Sequence, residues 1–160
     1  MATSPVKITR EQLKSVVEKD GVRAALIFLN GLTAHRFTAL YRFDDETLKN
    51  IYFYDRDYPE VESSPEIPVQ ASYCVFVRST QRTFAVADAS RDERVAAHPK
   101  RHELKSYCGV PLLDEQGNMF GSVCHFDFHA LPFDQATIEL MEALAPILSS
   151  RATAWSGNVE

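Results

Sequence analysis

The N-terminal part of the chain opens with a helical pattern of apolar residues. Leu13, Val16 and Val17 recur at the spacing of one helix face. Thr9, followed three residues later by Gln12, is a capping-box signature, in which a hydroxyl and an amide side chain satisfy free backbone amides. A first helix is therefore predicted to begin at Thr9.

This helical pattern is interrupted once and then resumes. Asp20 and Gly21 separate the first stripe from a denser apolar run, Val22–Leu32, in which Asn30-Gly31 is a typical helix end. The sequence thus predicts a broken, two-part N-terminal helix.

The pattern then changes to alternation, which is typical of half-buried strands. Arg36–Phe43 alternates apolar and other residues, Asp44 and Asp45 supply a turn, and Leu48–Tyr54 returns as the second strand of a hairpin. The following stretch, Asp55–Val69, has three prolines and no period, and is predicted to be a loop.

The middle of the chain combines two short elements with one long connection. Ser72 can cap a short helix that ends at Thr80, and Thr83–Ala87 is predicted to be a strand. The polar stretch Asp88–Lys105 is too long for an ordinary connection, and long loops of this kind tend to carry function.

The C-terminal part predicts a hairpin and a helix. Ser106–Leu113 and Asn118–Phe128 are apolar runs joined by a four-residue loop that ends in Gly117. Asp134 is the predicted cap of a last helix, which runs to about Ser150.

This order of elements predicts an α+β domain with one antiparallel sheet of five or six strands and helices at both ends of the chain. With 160 residues, the chain fits one domain of ordinary size. We assign residues 1–19 to an N-terminal helical extension, 20–150 to the domain and 151–160 to a tail.

Charge narrows the choice of partners. Seventeen basic and twenty-two acidic residues give a net charge of −5, which disfavours nucleic acid as a partner. Arg42–Glu66 holds −5 by itself, whereas Arg78–Lys105 carries seven basic and four acidic residues, a net charge of +3. No stretch is long and apolar enough for a membrane span or a leader, so we expect a cytoplasmic protein.

The cysteines and histidines offer no recognisable metal site. Cys74, Cys108 and Cys124 lack the CxxC spacing, and they are expected to be reduced and mostly buried. Two histidine pairs, His98 with His102 and His125 with His129, have a spacing of four, but neither pair is expected to share a helix face. No metal and no other cofactor is predicted.

Several blocks of sequence occur together in a recognisable order. They are SYCVFV, TFAVADASRDERV, KSYCGVPLLDEQGNMFGSVCHFD and PFDQATIELMEALAPIL. In this order they resemble the GAF domains of bacterial signalling proteins, and the resemblance covers roughly residues 20–150. It implies a central antiparallel sheet with the terminal helices on one face and, on the other, a small-molecule pocket roofed by the short helix and the long loop.

The resemblance also implies which side chains surround that pocket. The residues expected to bind a ligand are Tyr73, Phe76, Asp88, Arg94, Arg101, Tyr107 and Cys108. GAF domains bind cyclic nucleotides, bilins, haem, amino-acid derivatives or 2-oxo acids, and the cyclic-nucleotide and bilin motifs are absent here. Fold alone does not choose among the others.

One branch of the family is enzymatic. Free methionine-R-sulfoxide reductases are single-domain GAF proteins with three cysteines, and Cys74 falls near one of theirs. Their reactive cysteine corresponds to a position near Lys100 and Arg101, where this chain has no Cys. We therefore predict that no cysteine here is catalytic and that the protein is not an enzyme.

The main hypothesis is a GAF module that senses a small cytoplasmic metabolite, has no output domain of its own and signals through a partner protein. The alternatives are a redox enzyme of the methionine-sulfoxide type and an interaction module whose pocket is filled by its own side chains. Numerous aromatic residues are available to fill it, namely Tyr41, Phe53, Tyr73, Phe76, Tyr107 and Phe126.

Two further expectations concern partners. The terminal helices carry more apolar residues than one sheet face needs, which favours a homodimer through these helices. The basic stretch above the pocket favours an anionic or carboxylate-bearing metabolite, with Arg94 and Arg101 as its partners. The competing interpretation pairs the arginines with the acids of the same loop and leaves no free charge.

Overall fold

The computed structural model describes residues 5–152 of the chain. Within this range the chain forms four helices and one six-stranded sheet. The helices are α1 (Pro5–Asp20), α2 (Val22–Asn30), α3 (Cys74–Thr80) and α4 (Gln135–Ala152). The strands are β1 (Phe37–Asp44), β2 (Thr47–Asp55), β3 (Ile67–Pro68), β4 (Phe84–Val86), β5 (Ser106–Leu113) and β6 (Met119–Asp127).

The sheet has the strand order β3-β2-β1-β6-β5-β4, and each neighbouring pair is antiparallel. Two hairpins, β1-β2 and β5-β6, form its centre, and they meet where β1 pairs with β6. Two very short strands, β3 and β4, form its edges. The α+β prediction with one antiparallel sheet is confirmed.

Each face of the sheet has its own hydrophobic core. The helix-covered face packs against α1, α2 and α4, and Leu40, Val110, Leu112 and Val123 point towards these helices. The opposite face is covered by α3 and residues 88–105, which together we call the roof, and we call this side of the sheet the roofed face. Alternation along the strands sends successive side chains to opposite cores.

The interruption of the N-terminal helix is confirmed. Gly21 has φ +93°, a conformation that glycine adopts without steric cost, and it separates α1 from α2. The last helix also begins as the sequence predicts, because the Asp134 carboxylate accepts a hydrogen bond from the Thr137 amide at 2.8 Å. The hairpin loop before β6 has Gly117 at φ +82°.

Two sequence predictions about local structure are wrong. The first helix already includes Pro5, four positions before Thr9, so Thr9 does not begin it. The stretch 55–69 is not entirely loop, because Ile67 and Pro68 pair with Leu48 and Thr47 of β2. The predicted tail, apart from its first two residues, and the suggested contact of Trp155 lie outside the described residues.

The apolar residues of the terminal helices are used within the chain itself. Leu13, Val17, Met141 and Leu148 are at most 4 % exposed, and they pack in the core of the helix-covered face. These residues are therefore not available as the excess apolar surface from which the homodimer was predicted. A groove of about 560 Å³ does lie between α1 and α4, with charged side chains such as Arg10 and Glu18 on its walls. The homodimer stays a prediction.

No helix of the described part of the chain has the length and apolar character that a membrane crossing requires.

Candidate functional site beneath the roof

The roof is built from two consecutive short turns, each begun by an aspartate. The Asp88 carboxylate accepts a hydrogen bond from the Ser90 amide, and the Asp92 carboxylate accepts one from the Arg94 amide, both at 3.0 Å. Between these polar caps, Ala89 and Val95 are fully buried against the sheet. The long loop is therefore packed on the roofed face through its apolar residues.

Tyr73 connects the start of α3 to the far end of the loop. Its side chain is fully buried, and its hydroxyl donates to the Leu104 carbonyl oxygen at 3.0 Å. The ring meets the Tyr107 ring edge-on, with 5.6 Å between centroids, and lies 4.7 Å from the His98 ring. Burial raises the pKa of Tyr73 to about 12, so the phenol stays protonated and can donate this hydrogen bond.

Tyr107 lies along its own strand over Gly109. A Cβ atom on Gly109 would collide with the Tyr107 hydroxyl and ring. The absence of that Cβ lets the phenol reach Cys74, whose Sγ lies 3.1 Å from the Tyr107 hydroxyl oxygen. Gly109 thus determines where the Tyr107 hydroxyl sits.

Cys74 is the centre of a buried polar cluster. Its Sγ lies 3.3 Å from the Ser122 hydroxyl, and its backbone amide donates to the Ser72 hydroxyl at 3.0 Å. Burial opposes ionisation of the thiol, but the polar groups around its sulfur outweigh it and lower the pKa of Cys74 to about 6. Burial, together with the neighbouring Cys74, raises the pKa of Cys124 well above its ordinary value.

Phe76 and Arg94 occupy the outer side of the site, where both contact Phe84. The Phe76 and Phe84 rings stack with 4.6 Å between centroids, and the Arg94 guanidinium lies 4.6 Å from the Phe84 centroid. Arg94 also forms an ion pair with Asp92 at 2.6 Å and donates to the Ala85 carbonyl oxygen at 2.6 Å. Its charge is therefore already compensated within the roof.

Asp88 and Arg91 form a second, looser pair. Their closest charged atoms are 3.8 Å apart, and the Arg91 side chain is 88 % exposed. Together with the pair of Arg94 and Asp92, this contact matches the competing interpretation, in which the arginines pair with acids of the same loop. Asp88 points to its own turn and stabilises it.

Arg101 is different from the other roof arginines. One of its terminal nitrogens donates to the Ser90 carbonyl oxygen at 3.1 Å, whereas its Nε is buried without a hydrogen-bond partner. Among the residues that the structure describes, it forms no ion pair. Its positive charge favours ionisation of the Tyr73 phenol, an effect smaller than the burial that raises the pKa of Tyr73.

Cys108 lies on the opposite side of the sheet from the other predicted ligand residues. It alternates with Tyr107 along β5, so it belongs to the core of the helix-covered face. Burial raises the pKa of this thiol to about 12, which keeps it protonated. Residues on both faces of β5 are apolar, so the sequence does not show which face the Cys108 side chain lies on.

Ser122 belongs to the site but was missed by the sequence analysis. It is the one hydroxyl of β6 and lies in the apolar run Gly121–Cys124, which was a usable signal, because a buried polar group requires a partner. Tyr73, Phe76 and Tyr107 come together as predicted, with Cys74 beside them.

A second polar cluster lies at one end of the helix-covered face. The Thr38 hydroxyl contacts the His125 Nδ1 at 2.7 Å and accepts from the Asn30 side chain at 2.9 Å. His35 is 1 % exposed, and its ring stacks on Phe133 with 4.0 Å between centroids. Burial lowers the pKa of His35 to about 4 and that of His125 to about 3, so both are neutral near pH 7.

The histidines that the sequence paired lie in separate environments. The His98 ring contacts the Ser72 carbonyl oxygen at 3.1 Å, and His125 belongs to the cluster around Thr38. Within residues 5–152, no three side chains of His, Cys, Asp or Glu come together as a metal site would require.

A six-stranded antiparallel sheet with helices on one face and a loop roof on the other defines the class of α+β domain. The chain belongs to the GAF domain family, whose sequence profile matches residues 7–151. No curated protein matches the sequence at a significant level.

Several solved structures share this fold. The GAF domain of an Acinetobacter phosphoenolpyruvate-protein phosphotransferase is 15 % identical, with 99 % of this chain and 100 % of that chain covered and a TM-score of 0.75. The corresponding domain from Coxiella burnetii is 13 % identical, with 93 % of each chain covered and a TM-score of 0.71. The free methionine-R-sulfoxide reductase of Neisseria meningitidis, solved with its substrate, is 20 % identical, with coverages of 96 % and 93 % and a TM-score of 0.72.

Proposed function

We propose that this GAF domain senses a small anionic metabolite that binds beneath the roof. The observation that carries the proposal is Arg101, a roof guanidinium whose Nε is buried without a partner. A carboxylate or phosphate group can accept two parallel hydrogen bonds from a guanidinium, so it would satisfy the donor that the protein leaves unpaired.

The surroundings of Arg101 support binding of the anion beneath the roof. Its only described direct hydrogen bond is to the Ser90 carbonyl oxygen, which is a weaker partner than an anion. Tyr73 and Tyr107 are buried in the core of the roofed face, so we expect the ligand to enter when the roof shifts. Binding energy would then be coupled to the position of residues 88–105, which is the movement that a sensor needs.

The structural neighbours of this domain support a regulatory role. Two of its structural neighbours are GAF domains of phosphoenolpyruvate-protein phosphotransferases. For this chain we propose cytoplasmic signal transduction through a partner protein, together with a homodimer through the terminal helices.

Thermal-shift screening of carboxylates and phosphate esters tests the proposal. A ligand that binds only the folded protein raises the melting temperature with concentration. The shift should disappear in Arg101→Gln and persist in Arg91→Ala, a matched control because Arg91 lies in the same loop but is almost fully exposed. Stabilisation by neutral or cationic compounds alone, or an equal shift in both variants, would contradict it.

A second candidate function is reduction of free methionine sulfoxide. The lowered pKa of Cys74 favours it, and the Neisseria reductase shares the fold. Against it, the thiol is fully buried, and the sequence position expected for the reactive cysteine holds no Cys. We expect no turnover with free methionine sulfoxide and a thiol reductant, and turnover that is lost in Cys74→Ser would reverse this choice.

A further inference from the structure

Two of the three cysteines share one buried site. Cys74, at the start of α3, and Cys124, in the middle of β6, are both completely buried in the core of the roofed face. Ser122, which contacts the Cys74 sulfur, precedes Cys124 by two positions on the same side of β6. Each thiol also shifts the pKa of the other, that of Cys74 downwards and that of Cys124 upwards.

The surroundings of the two sulfurs differ in a chemically useful way. Hydroxyl groups of Tyr107 and Ser122 lie 3.1 and 3.3 Å from the Cys74 sulfur, so both can donate to it. The Cys124 sulfur instead donates to the Ala39 carbonyl oxygen at 3.8 Å, which requires its proton. One sulfur is thus placed as the thiolate and the other as the thiol, in agreement with the opposite directions of their pKa values.

We propose that Cys74 and Cys124 form a dithiol site that a peroxide oxidises to an intramolecular disulfide. The Cys74 thiolate attacks one peroxide oxygen and the O–O bond breaks, which leaves a sulfenic acid and, after protonation, one water. The Cys124 sulfur then attacks the sulfenic sulfur, the S–O bond breaks, and its proton leaves with the hydroxide as a second water. Two thiols and one hydrogen peroxide give one disulfide and two waters.

The disulfide would change the roof directly. It would link α3, which belongs to the roof, to the central strand β6 and would remove the sulfur that now contacts the Tyr107 hydroxyl. Oxidation would therefore act on the mobility of the roof. This inference does not depend on the ligand proposal, because it involves neither Arg101 nor an added metabolite.

The test is peroxide treatment of the folded protein, followed by alkylation and mass analysis. Before alkylation we expect a loss of about 2 Da, corresponding to two hydrogens, in the monomeric protein, and after alkylation and digestion a peptide in which Cys74 is joined to Cys124. The matched control is Cys108→Ser, which removes the thiol on the other face of the sheet and should give the same product. Cys74→Ser and Cys124→Ser should each abolish it.

A variant that keeps both cysteines separates chemistry from folding. Tyr107→Phe removes one donor to the Cys74 sulfur, so disulfide formation should slow several-fold at neutral pH, and the difference should shrink at a pH where the thiol is ionised in both proteins. A disulfide that includes Cys108, a link only between molecules, or oxidation only after unfolding in urea would overturn the proposal. An unchanged rate in Tyr107→Phe would overturn the role assigned to that hydroxyl.

Discussion

The two faces of the sheet are buried to a similar degree but are built from different chemistry. On the helix-covered face, the middle of the sheet presents aliphatic side chains such as Leu40 and Leu112, which need no polar partner. On the roofed face, the same strands present Tyr107 and Ser122, whose hydroxyls are buried against the Cys74 sulfur.

This difference indicates where the fold is stabilised and where it is used. Burial of aliphatic side chains contributes to stability without geometric demands, whereas a buried polar group costs free energy unless its hydrogen bonds are made. The helix-covered face therefore serves mainly to hold the domain together. The roofed face retains costly polar groups, and both of our proposals fall there.

The largest expected effect on stability comes from a cavity in the core of the helix-covered face. Leu40→Ala removes a completely buried side chain between β1 and the helices, and it should lower the free energy of unfolding by about 3 to 4 kcal/mol, since it leaves a cavity. Urea denaturation followed by circular dichroism measures this. A loss below about 1 kcal/mol would mean that the two faces do not differ as we describe.

The next effect concerns the one end of the helix-covered face that is polar. The pKa values of His35 and His125 are lowered to about 4 and about 3 by burial, so their stabilising contribution is present above the unfolded value near 6.5. This contribution is lost as the pH falls from 6.5 towards 4, because the two histidines become protonated in the unfolded chain but stay neutral in the folded chain. From pH 7.5 to pH 5.5 we expect a loss of about 3 kcal/mol in the free energy of unfolding.

Urea titrations at both pH values measure this loss. Replacing His125 by Gln should make the remaining pH dependence shallower, even if the variant is less stable overall. A slope that is unchanged in this variant would assign the acid sensitivity to other groups.

The smallest of the three effects tests how tightly the roofed face is fitted. Gly109→Ala forces the Tyr107 ring away from the strand, and we expect a loss of about 2 kcal/mol, typical of an overfilled core. Combining it with Tyr107→Leu should cost clearly less than the two single changes added together, because the collision is then removed. Additive costs would show that the ring is not the obstacle.

Regular patterns in the sequence were sufficient for the central elements. β5 was predicted over Ser106–Leu113 and is found there, since an apolar run followed by a glycine turn marks a hairpin locally. β3 was missed because its two residues lie among prolines and become a strand only by pairing with β2. The site was harder to predict from the sequence. The side of β5 to which Cys108 points and the contact between Cys74 and Ser122 both depend on residues distant in sequence.

The short outer strands of the sheet affect how copies of the protein meet in concentrated solution. An unpaired strand edge offers backbone donors and acceptors to a neighbouring chain, and long flat edges promote aggregation. Here one edge is the two-residue β3, which contains Pro68, and the other is the three-residue β4. Since β3 and β4 themselves offer so few backbone groups, neither is a strong template for another chain, and the longer edge that a neighbouring copy could reach is the part of β2 beyond Leu48, which β3 does not pair with.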